Sequence, residues 1–178
     1  MNKNSGFTLI EMLIVLGVTI LLSGLLIIYS RESEDFSLIL RTRTQVISDI
    51  NRAKNLAINS QTVENNQPTC GYGIYFNTSN NSYIIFADLS SNCEKSTHIR
   101  NSADTKDIET IPLPSKIVLS KSDIQQVFFL PPDPTVYFEP PISDNGTNPQ
   151  AKITFNKASD DEIAFQIFIN PIGRVWGQ

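Results

Sequence analysis

From Leu9 to Tyr29 the chain reads LIEMLIVLGVTILLSGLLIIY, with Glu11 as its only charge and no proline. Wound as an α-helix at about 1.5 Å per residue, this run would be roughly 30 Å long, the thickness of a bilayer's hydrocarbon core. A helix that is apolar all round must be covered on every side. A remainder of about 150 residues is poorly placed to do that as a protein core, which argues against a buried core helix. A secretory signal peptide is the other competitor, since Lys3 supplies a short basic segment ahead of the apolar run. The run is too long for a usual signal core, and no Ala-x-Ala-like site precedes Arg31, Glu32, Glu34 and Asp35. We therefore expect residues 7–29 to form a retained membrane helix. Lys3 and the N-terminal amine should stay in the cytoplasm, with everything after the helix exported.

A carboxylate inside such a run is costly and needs a role. Glu11 closes the string Gly6-Phe7-Thr8-Leu9-Ile10-Glu11, which resembles the processing site of type IV prepilins, a class that includes pilins, minor pilins and the pseudopilins of type II secretion. The resemblance implies that a prepilin peptidase removes a leader of residues 1–6 by cutting between Gly6 and Phe7 and methylates the new amine of Phe7. It also implies that Glu11 sets subunit register in a filament, where an unpaired carboxylate among packed apolar helices costs several kcal/mol and the Phe7 amine of a neighbouring subunit is the available partner. Many major pilins carry a kinking proline late in this helix; here the region around Ile27 and Ile28 has none. Gly17 and Gly24, seven apart, fall near one helix face and would permit close helix contact.

A short polar break from Ser30 to Asp35 precedes a second helical pattern. Ile39, Val46, Ile50, Ala53 and Ala57 recur on one face, with Leu40, Ile47 and Leu56 widening the stripe, and Arg41, Asp49, Arg52 and Lys54 mostly on the other. This predicts an amphipathic helix over residues 30–60, ending near Asn59 or Ser60. Residues 61–178 then read as a β-rich exported head. Alternation and turn signals predict strands at Tyr72 to Asn77, Ser82 to Ala87, Thr97 to Arg100, Ile117 to Ser120, Gln126 to Leu130, Thr135 to Glu139, Lys152 to Asn156, Ala164 to Ile169 and Gly173 to Trp176. The expected fold is α+β and pilin-like: a long N-terminal helix, then an all-β domain of two antiparallel sheets packed together.

Two further strings narrow the resemblance. Asn51-Arg52-Ala53-Lys54-Asn55-Leu56-Ala57-Ile58 and Ile167-Phe168-Ile169-Asn170-Pro171-Ile172-Gly173-Arg174-Val175 resemble the helix ending and last hairpin of the GspH/FimT family of minor pseudopilins and minor pilins. That likeness implies a low-copy subunit that helps start or cap a filament. Its partners would be prepilin peptidase, other pilins and the inner-membrane assembly platform, and its location the inner membrane, then a periplasmic pseudopilus or surface pilus. Some FimT-like members resemble DNA receptors and use a C-terminal Gly-Arg-x-Arg, which makes Arg174 the candidate DNA contact; here Trp176 replaces the second Arg. Residues 61–178 carry 8 basic and 13 acidic side chains, within a chain of 14 basic and 18 acidic, so attraction to phosphate is weak. Arg174 reads better as a surface or register-setting turn residue, and Trp176 as a partly buried edge aromatic.

Cys70 and Cys93 both fall in the exported portion and flank the first predicted hairpin. A disulfide closing a loop of about 24 residues is expected there, contributing roughly 2 to 4 kcal/mol. A metal site lacks ligands, because there is no C-x-x-C and His98 is the only histidine; His98 reads as a surface strand residue. Asp144-Asn145-Gly146 and Asp160-Asp161-Glu162 offer oxygen ligands for calcium, but neither has the full spacing of a calcium loop, and solvated turns are the better reading. No G-x-S-x-G, H-E-x-x-H or phosphate-cradling loop occurs. The expectation is a protein that is not an enzyme, needs no cofactor, and is itself an enzyme's substrate.

Overall fold

In the computed structural model the described residues are 8–59, 62–63, 68–100, 104–131, 135–142 and 149–178, and the side chains of 26–32 are excepted. The first element is a single 50-residue helix, α1 (Leu9–Ile58). The polar break expected at Ser30 to Asp35 does not interrupt it. That stretch holds no glycine or proline, and Arg and Glu are good helix formers, so polarity alone does not stop the winding. By internal packing the chain divides into two units, Met1–Leu40 and Arg41–Gln178.

In the second unit, the end of α1 buries Val46, Ile50, Ala53 and Ala57, the apolar stripe expected from their spacing. Among the described residues nine strands follow: β1 (Gly71–Asn77), β2 (Ser82–Asp88), β3 (Thr105–Pro112), β4 (Ile117–Ser122), β5 (Gln126–Leu130), β6 (Thr135–Glu139), β7 (Ala151–Lys157), β8 (Ile163–Ile169) and β9 (Val175–Gly177). They form two antiparallel sheets, ordered β3-β2-β1-β5-β6 and β4-β7-β8-β9. The helix is tied to both. Tyr83 of β2 donates its hydroxyl to Asp49 at 2.6 Å, Arg52 pairs with Glu109 of β3, and Gly177 of β9 lies against Arg43 and Ile47.

Every residue of β2 is buried, so the larger sheet is covered on both faces. Period-2 alternation puts Tyr83 on the helix side and Phe86 and Asp88 on the other. Two glycines of β1 make that second face possible. Gly73 is paired with both Phe86 and Phe128, and their rings lie where side chains from β1 would stand. A Cβ on Gly73 would sit 2.6 Å from the Phe86 ring and 2.8 Å from the Val127 carbonyl oxygen.

The β1–β2 turn also fastens the second sheet. Asn77 accepts from the amides of Ser79 and Asn80, and Asn81 takes the left-handed conformation. The Asn81 side chain then donates to the Ile117 carbonyl at 2.8 Å and accepts from the Leu119 amide at 2.9 Å. One amide side chain thus bonds to edge strand β4 as a strand neighbour would.

Eight of the nine predicted strands have counterparts. The exception is Thr97 to Arg100, which is irregular, while the strand Thr105–Pro112 takes its place in sequence. β3 hides its nature because it is an edge strand carrying Lys106, Asp107, Glu109 and Pro112, the residues that keep an open edge from pairing with other chains.

Gly73→Ala is expected to lower stability by about 1–3 kcal/mol through overpacking against ring and backbone, read by urea unfolding of the full chain in detergent micelles. Gly17→Ala, whose Cβ would meet nothing within 4 Å, should leave the head's transition in place.

Candidate functional site

The N-terminal part of α1 is built for an apolar surrounding. All described side chains from Leu9 to Leu25 are exposed, including Leu9, Ile10, Leu13, Ile20 and Leu21. Its two hydroxyl residues satisfy themselves: Thr19 donates to the Leu16 carbonyl at 2.9 Å and Ser23 to the Thr19 carbonyl at 2.8 Å. Inside lipid or among packed helices such back-bonding removes the need for water. Gly17 and Gly24 both face open space.

Glu11 sits in the first turn, where the helix dipole favours a negative charge. Thr8 is its local partner. The Glu11 amide approaches the Thr8 hydroxyl at 3.4 Å, and the Thr8 amide and hydroxyl approach a Glu11 carboxylate oxygen at 3.5 Å. These contacts have the reciprocal pattern of a capping box, at long distances. The signal was legible as Thr8-x-x-Glu11, but the stronger prepilin string overlies it. Gly6 and Phe7, the expected cleavage and methylation positions, lie outside the described residues. Among the described residues no helix is long and apolar enough to cross a membrane, so the expected span over 7–29 is not recovered as such.

In the head, the sequence misplaces His98. It is buried and not in a strand, its backbone is left-handed, and its Nδ1 lies 2.9 Å from Asp88 Oδ2. The ring stacks on Phe128 and tilts against Tyr137. Gln126, also buried, brackets the same segment, donating to the His98 carbonyl and accepting from the Arg100 amide. Arg100 then pairs with both carboxylate oxygens of Asp107 and lies over Tyr75. The Cys70–Cys93 disulfide, with its Cα atoms 5.2 Å apart, fastens the start of the segment to β1. Residues 89–100 therefore form a strap across the face of the larger sheet opposite the helix. The β-branched string Thr97 to Arg100 reads as a strand, but its backbone bonds go to the Gln126 side chain of β5 and the Ser96 hydroxyl, and the His98 ring bonds to Asp88 of β2.

Asp88 is the buried hub of the strap. Burial alone would push its carboxyl up. Hydrogen bonds from the Ser96 hydroxyl, the Ser90 amide and His98 outweigh that and hold it below the usual carboxylate range.

Arg174 and Trp176 lie at the last hairpin. Gly173, left-handed, makes the turn, and its carbonyl accepts from Lys54 at 3.0 Å. Trp176 is half-buried on edge strand β9, stacked with Phe168, and the Arg174 guanidinium lies 6.0 Å from its ring centre. The acids of the β7–β8 turn are used locally: Asp161 accepts from Asn156, Asp160 from the Glu162 amide, and Glu162 pairs with Lys157. Among the described residues no group of three or more His, Cys, Asp or Glu could hold a metal ion; Asp144-Asn145-Gly146 lies outside them.

Residues 1–27 match the family described as the prokaryotic N-terminal methylation motif. This is the type IV prepilin signal, and it indicates a type IV pilin-like prepilin. It implies processing by prepilin peptidase and assembly with other pilins. Neither the curated proteins nor the solved structures contain a match to the chain.

A carboxyl held low in the fold adds stability that is present above the unfolded value near 4 and is lost as pH falls through the folded value. Asp88→Asn should therefore destabilise the head near neutral pH. The gap to the parent protein should narrow as pH drops below about 4, measured by urea unfolding across pH; a pH-independent gap would contradict the hub role.

Proposed function

We propose that the chain is a structural subunit of a type IV pilus or of a type II secretion pseudopilus, anchored in the inner membrane before assembly and joined to the filament through its N-terminal helix. The observation that carries this reading is the exposed apolar surface of Leu9 to Leu25, interrupted by one charge in the first helical turn. At about 25 cal/mol per Å2 of apolar area removed from water, such a surface strongly favours lipid or neighbouring helices over solvent. Among the latter, Glu11 needs a cationic partner. Its contacts to Thr8 are long enough to be exchanged for one, and the amine of a neighbour's processed Phe7 has the right charge.

The GspH/FimT-like strings at 51–58 and 167–175 and the absence of a kinking proline near Ile27 support a minor subunit that starts or caps the filament, rather than a major pilin. The acid excess of the head weighs against a DNA receptor. The reading gives the chain no catalytic step and no cofactor.

Glu11→Leu should leave the membrane-bound fraction of the protein unchanged and lower its incorporation into sheared filaments about tenfold or more, quantified by immunoblot. Incorporation at the parent level would count heavily against Glu11 as the register-setting group.

A further inference from the structure

The last hairpin carries a feature that the filament reading does not use. Beside the turn joining β8 to β9 is a cavity of about 590 Å3, lined by Arg174, Trp176, Pro171, Ile172, Asn170 and Gln150 among others. That is the size of a ligand-binding cleft. Among the described residues none that lines it is acidic and Arg174 has no acidic partner, in a head where acids outnumber bases.

The turn that forms one wall is held in place before anything binds. The Asn170 carbonyl accepts from the Gly173 amide, its side-chain oxygen accepts from the Arg174 amide, and its own amide donates to the Arg174 carbonyl. Lys54 of α1 anchors the Gly173 carbonyl. At the tip of this braced turn Ile172 is 78% exposed. An apolar side chain displayed on a pre-organised turn loses little conformational freedom when it is covered. Trp176 is already stacked with Phe168 and lies under Arg174, so its ring presents little free face to a sugar or a nucleobase. What remains open is a guanidinium fork, side-chain amides and an aliphatic wall.

We propose that this cleft docks a segment of another polypeptide in which a carboxylate stands beside an aliphatic side chain. The carboxylate pairs with Arg174, and the aliphatic group packs on Ile172 and Pro171. Arg suits this task because its fork can bind a carboxylate bidentately. The proposal does not depend on how α1 assembles.

Trp176 is the chain's single tryptophan, so its emission reports on the cleft alone. The test titrates the full chain in detergent micelles with a tryptophan-free peptide of alternating Glu and Leu. Parallel arms use the matching Gln and Leu peptide and a polyuronate. The expected result is a saturable emission change with the Glu peptide that weakens about tenfold or more for the Gln peptide, for Arg174→Gln and for Ile172→Ser, and weakens at raised salt. Both substitutions are at exposed positions, and far-UV circular dichroism checks that each variant is folded. No saturable change, equal binding by the Gln peptide, or binding unaffected by Arg174→Gln would overturn the proposal. A polyuronate binding as well as the peptide would reassign the cleft to acidic sugars. Concentration-dependent self-association lost in Arg174→Gln, seen by sedimentation, would make the occupant a second copy of this chain.

Discussion

One carboxylate in a long apolar surface sets the terms for the whole molecule. The helix from Leu9 to Leu25 exposes its aliphatic side chains, and a surface of that kind is stable only when lipid or other helices cover it. Glu11 makes the two covers unequal. Near the edge of a bilayer it can reach the interface, whereas among packed helices it demands a positive partner. For a chain that carries the methylation motif over residues 1–27, the proposed partner is the amine that processing would leave close by in sequence. Thr8 meanwhile gives the carboxylate a local partner that is weak enough to leave.

The head answers a different requirement, which is to stay folded with a modest core. Its larger sheet is covered by α1 on one face and by the strap of residues 89–100 on the other. The strap has no ladder of its own. Instead it borrows bonding groups from neighbouring strands: Asp88 at the end of β2, Gln126 at the start of β5, and the His98 ring lying on Phe128. The disulfide closes the same segment onto β1, so covalent and polar restraints act together on chain that regular secondary structure does not hold. Gly71 and Gly73 leave room for the Phe86 and Phe128 rings beneath this cover.

Much of this was legible in the sequence where a single periodicity decides the outcome. The stripe Val46, Ile50, Ala53, Ala57 follows from helical spacing, and Gln126 to Leu130 and Thr135 to Glu139 follow from β-branched and aromatic runs between turn signals. The Cys70 and Cys93 pairing followed from their positions flanking the first hairpin and from the expectation of export. What escaped was decided by contacts between distant residues. His98 looked like an exposed strand residue because Asp88, Gln126, Phe128 and Tyr137, which bury it, are up to 39 positions away along the chain. β3 was missed because its charges protect an edge, and edge position is a property of the sheet rather than of the strand. The continuity of α1 through Ser30 to Asp35 shows the converse: a polar stretch is a composition change, and without glycine or proline it is not a break.

The proposed role of Glu11 depends on whether residues 1–6 are a leader that is removed to expose Phe7. Mass spectrometry of the N-terminal peptide, taken from the protein recovered from its native membranes, tests this directly. The predicted result is a chain beginning at Phe7 with a methylated amine. A chain that keeps Met1, or one cut beyond Glu11, would contradict the prepilin assignment and with it the role given to Glu11.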